Sequence, residues 1–248
     1  MVEGSEILAV LAGPVIGSYL GVVVSRYPDG SVLSPARSHC DSCGATLGLP
    51  DLVPVLSWLA LRGRCRFCGA RVSAFYPAVE LAATAVAVAA VWLLPSPLSV
   101  FAAMLGWVLL TLALIDLRHL EVPDALSLPL IPAGLAVTWW IEPDAVVSHA
   151  VAAVAGAAVI WLIGQAYRRL RGREGLGGGD VRLFAVAGAW VGPASLPGVL
   201  LLSGIFGLVA AAALVRSGWL GWSDRIPFVP ALAAAIWIIF LDPELFLP

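Results

Sequence analysis

Near the middle of the chain an apolar run ends on an acid, Leu109-Leu110-Thr111-Leu112-Ala113-Leu114-Ile115-Asp116. The run belongs to an apolar stretch, 97–117, that is long enough to cross a bilayer as a helix, which takes about 20 residues. The whole chain is 60% hydrophobic and 12% charged, with a mean hydropathy of +0.96, whereas soluble domains carry about 25% charged residues. The sequence therefore predicts a protein that crosses a membrane several times.

Seven further apolar segments flank this one within the 248 residues, so that eight spanning helices are predicted. The other seven are 6–25, 77–94, 124–141, 145–167, 181–194, 196–215 and 227–246. The segment 181–194 is short for a complete crossing. The N-terminus is acidic where a cleavable signal peptide would be basic, so 6–25 is expected to remain as the first helix. The predicted fold class is all-α, a polytopic membrane bundle of about eight helices.

The basic residues predict the orientation of this bundle. All 14 are arginines. With the N-terminus outside, every arginine falls in a cytoplasmic segment, as the positive-inside rule requires. The charged residues of the outside segments are then all acidic. Asp116 and Asp180 then both lie at the cytoplasmic side. The net charge of -2 gives no support for a nucleic-acid partner.

The one long polar segment, 26–76, contains all four cysteines, in the pairs Cys40-Asp41-Ser42-Cys43 and Cys65-Arg66-Phe67-Cys68. Two Cys-x-x-Cys pairs supply the four thiolates of a tetrahedral zinc site, and a glycine follows each pair, as a tight knuckle requires. With four protein ligands the metal has no open position, so the zinc is expected to organise this loop. Disulfides or free thiols are the alternative, which a cytoplasmic location disfavours.

The second acid, Asp180, closes the run Gly175-Leu176-Gly177-Gly178-Gly179-Asp180 between two apolar segments. A carboxylate at a membrane boundary is costly and indicates function. Two carboxylates that meet can share a proton, so that one takes a proton from water while the other donates one to a peptide carbonyl. Asp116 and Asp180 are therefore candidate catalytic residues of an aspartyl protease. The alternatives for Asp180 are a helix cap and a structural ion pair with Arg182.

Further motifs follow one another along the chain. They include Gly17-Ser18-Tyr19-Leu20, Arg26-Tyr27-Pro28, Pro54-Val55-Leu56-Ser57-Trp58-Leu59, Tyr76-Pro77-Ala78-Val79-Glu80-Leu81, Gly188-Ala189-Trp190 and Ile226-Pro227-Phe228. With the cysteine pairs and the two aspartate segments, they extend from about Pro14 to Leu232. In this order they resemble the bacterial prepilin peptidases, also called type IV leader peptidases, which are aspartyl proteases of the GxGD type.

The resemblance implies a specific activity. Members of the family remove a short basic leader from type IV prepilins and from the pseudopilins of type II secretion, cutting after a glycine at the cytoplasmic membrane face. Many then methylate the new N-terminus with S-adenosylmethionine. The resemblance assigns catalysis to Asp116 and Asp180 and associates the tetracysteine site with the second activity. It also implies prepilin substrates, contact with membrane lipid, and a place in the bacterial inner membrane.

Three positions depart from the family pattern. Gly21 stands where the family usually has Asn, Val229 where it has Gly, and Arg182 where it has Lys. The changes at Gly21 and Val229 bear on methyl transfer and leave cleavage untouched. Glu80 matches the family's glutamate, and its expected role is either methyl transfer or helix packing. Glu80 and Gly21 are thus the candidate contacts of the methyl donor.

The expected organisation is a first transmembrane helix (1–25), a cytoplasmic zinc-binding loop (26–76) and a membrane-embedded aspartyl peptidase bundle (77–248). Two alternatives stay open on the sequence alone. One is a peptidase that lacks methyltransferase activity, and the other is a non-catalytic scaffold for pilus assembly.

Overall fold

The computed structural model describes residues 4–28, 37–172, 177–218 and 226–246. These ranges contain the helices α1 (Gly4–Arg26), α2 (Leu56–Ala60), α3 (Phe75–Leu93), α4 (Leu98–His119), α5 (Asp124–Ser127), α6 (Leu130–Ile141), α7 (Val146–Arg171), α8 (Gly178–Arg216) and α9 (Val229–Leu241). Short 3₁₀ turns cover Leu49–Asp51, Pro143–Ala145 and Pro243–Phe246. No strand occurs in the described ranges, and the predicted all-α fold is confirmed.

Within the described residues, 6 helical stretches are long and apolar enough to cross a membrane. They are Gly4–Arg26, Phe75–Leu93, Leu98–His119, Asp124–Ile141, Pro143–Arg171 and Gly178–Arg216. The helix α9 is also apolar but has 13 residues. All eight apolar segments predicted from the sequence are helical, but 181–194 and 196–215 lie in the single helix α8.

Helix α8 has 39 residues and is interrupted at Gly192. The backbone there has φ 72 and ψ -179, a conformation that favours glycine, and Pro193 follows. A Cβ atom on Gly156 of α7 would lie 3.1 Å from the carbonyl oxygen of Phe184 and 3.5 Å from Cδ1 of Leu196. In a straight helix these last two residues would stand about 18 Å apart. The chain therefore folds back at Gly192, which explains why the sequence shows two apolar segments here.

The chain forms two compact units, Met1–Trp107 and Val108–Pro248. In the first unit, α1 packs on α3 through Gly13, Gly17 and Gly21, which lie four residues apart on one helix face. A Cβ atom on Gly17 would be 2.5 Å from the Cα atom of Glu80. The missing side chains let the two backbones approach closely, as in other membrane helix pairs with small residues at this spacing.

In the second unit, α7 and the first part of α8 approach each other in the same way. A Cβ atom on Gly188 would be 2.3 Å from the backbone nitrogen of Ala153. Ala152, Ala153 and Gly156 are buried, so these three small residues serve helix packing. The largest fully buried side chains of this unit include Leu109, Leu112, Ile115, Leu183, Val186, Leu232 and Ile236.

This packing predicts that Gly188→Ala destabilises the protein. The new Cβ atom would overlap backbone atoms that no side-chain rotation can move, and overpacking of this kind costs about 1–3 kcal/mol or more. Thermal unfolding in detergent would measure the loss. Gly204→Ala is the matched control, because a Cβ atom there meets nothing within 4 Å and alanine favours a helix. Equal unfolding temperatures for the two variants would contradict the close approach of α7 and α8.

Candidate active site and metal centre

Asp116 lies in the last turn of α4 and is buried, with 5% of its surface exposed. Its Oδ2 atom accepts a hydrogen bond of 3.1 Å from the backbone N–H of Val229. Val229 is the first residue of α9, and the first N–H groups of a helix have no partner within the helix. They also lie at the positive end of the helix dipole, which favours a negative group. The start of α9 thus provides a donor for the Asp116 carboxylate.

Asp180 lies in the first turn of α8 and is also buried, with 8% of its surface exposed. Its Oδ2 atom accepts a hydrogen bond of 2.9 Å from the backbone N–H of Gly177. The backbone N–H of Asp180 in turn donates to the Gly177 carbonyl at 3.2 Å. These bonds fix the side chain at the helix start, a position that favours an acid.

The fold brings the two predicted aspartates together within the second unit. They are close enough for the charge of Asp180 to act on Asp116. Each belongs to a different helix, and each accepts a hydrogen bond from a backbone N–H group at a helix start. Two buried carboxylates whose charges interact in this way cannot both ionise cheaply. This pairing of residues 64 positions apart in the sequence (180 minus 116) is the central feature of the site.

The segment between α4 and α5 is held against the start of α8 at two points. Arg182 donates a hydrogen bond of 3.0 Å to the carbonyl of Val122 and forms an ion pair with Asp124. A Cβ atom on Gly179 would lie 2.4 Å from Cγ2 and 2.9 Å from Cβ of Val122. The sequence left open an ion pair between Arg182 and Asp180, but the acid that Arg182 pairs with is Asp124. Arg182 therefore positions the backbone beside the aspartates.

The glycine run before Asp180 is explained in part by these contacts. Gly179 must lack a side chain because Val122 occupies the space. Gly177 supplies the N–H group for Asp180, and a Cβ atom on Gly178 would meet nothing within 4 Å. Gly175 and Leu176 lie outside the described residues.

The backbone amide of Val229 is the contact that sequence reasoning missed. Every residue except proline carries a backbone N–H group, so the residue type at position 229 does not indicate that its N–H acts as a donor to Asp116. The only available signal was position, because Val229 directly follows the motif Ile226-Pro227-Phe228 near the start of the apolar segment 227–246.

The four cysteines form one cluster in the first unit. All four sulfur atoms lie within 4.8 Å of one another, and those of Cys40 and Cys68 are 3.8 Å apart. Four thiolates around zinc, each about 2.3 Å from the metal, would have their sulfur atoms roughly 3.8 Å apart. The side chains that the sequence predicts as ligands, Cys40, Cys43, Cys65 and Cys68, are thus placed so that they could hold a metal ion.

The two cysteine pairs have the same backbone structure. In each, the N–H of the first cysteine donates a hydrogen bond to the carbonyl of the alanine five residues later. The carbonyl of that cysteine accepts a hydrogen bond from the N–H of the glycine four residues later. The distances are between 2.8 and 2.9 Å, and the residues are Cys40, Gly44 and Ala45, and Cys65, Gly69 and Ala70. Both glycines have positive φ angles, 70 and 72. These are the tight knuckles that the sequence predicts.

The knuckle backbone also favours the form of the thiol that binds metal. Hydrogen bonds from the backbone N–H groups of Cys43 and Ser42 lower the pKa of Cys40 to about 6. The thiolate is the metal ligand, so this sulfur is prepared for coordination at neutral pH. At Cys68 a hydrogen bond from the Ala70 N–H acts in the same direction, but hydrogen bonding with the other three thiols and burial raise the pKa to about 12.

Glu80 and Gly21, the candidate contacts of the methyl donor, both lie where α1 meets α3. The buried Glu80 carboxylate accepts a hydrogen bond of 2.6 Å from the backbone N–H of Val55. A Cβ atom on Gly21 would be 3.2 Å from the ring of Tyr76. Both positions therefore contribute to packing, and Glu80 also holds the loop that precedes α3.

Comparison with known proteins agrees with these features. Residues 11–94 match the bacterial peptidase A24 N-terminal domain, and residues 103–212 match the type IV leader peptidase family. No solved structure matches the chain significantly.

Similar proteins resemble the chain over most of its length. A prepilin leader peptidase/N-methyltransferase of Aeromonas hydrophila is 38% identical over 259 residues, which cover 94% of this chain and 89% of the relative. Another from Burkholderia pseudomallei (strain 1026b) is 37% identical over 252 residues, covering 91% and 82%. A type 4 prepilin-like proteins leader peptide-processing enzyme of Escherichia coli O78:H11 is 35% identical, covering 92% and 90%. With its apolar helices and these two matching regions, the chain is a multi-pass inner-membrane protein that belongs to the type IV leader peptidase family.

Proposed function

We propose that this protein removes the leader from type IV prepilins or pseudopilins and then methylates the new N-terminus with S-adenosylmethionine. The observation that carries the peptidase assignment is the meeting of Asp116 and Asp180, both buried and both at helix ends. Relatives named prepilin leader peptidase/N-methyltransferase align over most of the chain, which supports both activities.

The two aspartates share the acid and base roles. One carboxylate takes a proton from a water molecule, whose oxygen attacks the carbonyl carbon of the scissile peptide bond after a glycine. The other donates a proton to the carbonyl oxygen. When the C–N bond breaks, the leaving nitrogen receives a proton and becomes the new N-terminus. The amides of Val229 and Gly177 orient one oxygen of each carboxylate, which reduces the cost of organising the site during the reaction.

The catalytic side of the membrane is proposed to be the cytoplasmic one. Asp116 lies near the end of α4 and Asp180 near the start of α8, so these two helix ends face the same side. Arg118 follows the first acid and Arg182 the second. Under the positive-inside rule, ends that carry arginine lie in the cytoplasm, where the basic leader of a prepilin meets the membrane. The N-terminus is then outside.

The four cysteines are proposed to hold Zn²⁺. Thiolates at this spacing suit a closed tetrahedral site, in which the metal stabilises the loop and has no open position for substrate. Methyl transfer therefore depends on groups other than the metal.

The function is tested by the intact mass of a prepilin peptide after incubation with the purified protein and S-adenosylmethionine. Loss of the leader with gain of one methyl group is expected. Loss of the leader alone would mean a dedicated peptidase and direct attention to Gly21 and Val229. An unchanged peptide, with a folded and metal-loaded protein, would contradict the proposal and favour the scaffold.

In this assay, Asp116→Asn and Asp180→Asn are each expected to reduce cleavage by at least about a hundredfold, because general acid–base catalysis contributes about 10²–10⁴. An amide keeps the size of the side chain but cannot exchange the proton. Asp144→Asn, in the exposed 3₁₀ turn Pro143–Ala145, is the control and should cleave normally. The proton-sharing pair is refuted if either active-site variant inserts into the membrane and cleaves at the normal rate.

The neighbouring glycines provide a second, more selective test. Gly179→Ala is expected to reduce cleavage about tenfold to a hundredfold, because its Cβ atom would displace Val122 and shift the start of α8, and errors of about 1 Å in a catalytic site have effects of this size. Gly178→Ala adds the same group at a position where it meets nothing within 4 Å. Initial cleavage rates of the two variants should therefore differ. Similar rates would show that the contact between Gly179 and Val122 does not position Asp180.

For the metal site, Cys40→Ser and Cys65→Ser are each expected to abolish most bound zinc in the purified protein, since a hydroxyl replaces one of four thiolates. Elemental analysis by mass spectrometry measures the metal directly. Ser42→Ala, between the first two cysteines, is the control and should retain it. Full zinc occupancy in both cysteine variants would exclude the four-cysteine site.

A further inference from the structure

The segment between the two cysteine pairs exposes several large apolar side chains to the surroundings. We refer to Leu49, Leu52, Val53, Leu56 and Leu59 as the apolar patch. Leu49 is 86% exposed and Leu56 65% exposed. These residues lie outside the membrane-spanning helices, so leaving them in water is unfavourable. Large apolar side chains exposed together within one short segment often mark a site of contact.

The patch belongs to α2 and to the residues just before it. Leu56 and Leu59 are three residues apart and share a helix face. Trp58 lies on another face, where its indole N–H donates a 3.1 Å hydrogen bond to the carbonyl of Val72 and its ring lies against Gly63. Trp58 thus fixes α2 to the rest of the loop, and the leucines point outward from this support.

A hydrogen bond fixes the height of this segment relative to the membrane. The backbone N–H of Val55, directly before α2, donates to the Glu80 carboxylate at 2.6 Å. Glu80 is the sixth residue of α3, so Val55 lies beside the first two turns of a spanning helix. Leu81 of the same turn is 57% exposed, as expected for a side chain that faces lipid. The patch therefore lies at the level where the lipid-facing surface of α3 begins.

Basic side chains follow the patch directly. Arg62 and Arg64 come just after α2 and are exposed, as is Arg71. Asp51, the acid within the segment, is paired with Arg66 at 2.9 Å. Leucines next to exposed arginines are typical of segments that lie in the interface of a membrane with anionic lipids.

We propose that the apolar patch is a membrane-docking surface, which inserts at the boundary between headgroups and acyl chains of an anionic leaflet. The occupant is the lipid surface of the same membrane that α1 and α3 cross. The metal site is thereby held against the bilayer by two contacts, the Glu80 bond to Val55 and the inserted leucines. This inference does not depend on the proposed enzymatic activity.

Site-specific quenching in vesicles tests the proposal. A coumarin-bearing amino acid is placed at position 56 or, in a second variant, at position 59, and the full-length protein is reconstituted into phosphatidylethanolamine and phosphatidylglycerol. Lipids brominated in the upper acyl chain should remove most of the fluorescence at both positions. The control probe at Thr46, an exposed polar residue of the first knuckle, should keep most of its fluorescence. Bound zinc confirms that each variant is folded.

Three outcomes decide the matter. Quenching at 56 and 59 that weakens when phosphatidylcholine replaces phosphatidylglycerol supports docking to an anionic surface. Equal quenching at 46, 56 and 59, or none at any of them, would overturn the proposal. Quenching at 56 and 59 that stays unchanged when phosphatidylcholine replaces phosphatidylglycerol would also overturn it, because the contact would then not depend on an anionic surface.

Discussion

A carboxylate in a low-dielectric interior needs hydrogen-bond donors, and this structure takes them from the starts of helices. A buried acid loses most of its hydration, and an unpaired buried charge is very costly. The donors are the N–H group of Val229 at the start of α9 and the N–H group of Gly177 just before α8. N–H groups at the start of a helix have no partner within that helix. Asp116 and Asp180 can therefore be buried side by side. Several contacts in the second unit bring these helix ends to one place.

Some residues hold these helix starts in place without contacting the carboxylate oxygen atoms of Asp116 or Asp180. The start of α8 is held by Arg182, through Val122 and Asp124, and by the absence of a side chain at Gly179. The reversal at Gly192 brings the second part of α8 back along α7, and the chain then leads on to α9. The start of α9 carries the amide that binds Asp116. Conformationally permissive residues thus occur where the backbone must turn or approach closely.

The parts of the site that depend on residue type were predictable from the sequence, and the parts that depend on the backbone were not. Cysteine spacing alone predicts a metal cluster, because thiolates are specialised ligands. Acids at the ends of apolar segments stand out because they are costly there. The donor at Val229, by contrast, is a backbone amide, and the partner of Arg182 lies 58 residues away (182 minus 124). Glu80 was recognised from its motif, but not its bond to Val55. Val55 has a positive φ of 60, and a β-branched residue gives no indication in the sequence that the backbone turns there.

Of the three departures from the family pattern, those at positions 229 and 21 affect the structure differently. At position 229 the contact with Asp116 is made by the backbone, so exchange between glycine and valine preserves the donor and changes only the packing of a buried side chain. At position 21 the residue type matters directly, because any Cβ atom would press on the Tyr76 ring at 3.2 Å, and an asparagine would need that ring or α1 to move. Position 21 belongs to the unit with the cysteines and Glu80, and position 229 to the unit with the aspartates. The donor to Asp116 is therefore kept whichever residue stands at position 229, whereas the junction of α1 and α3 is shaped by the glycine at position 21.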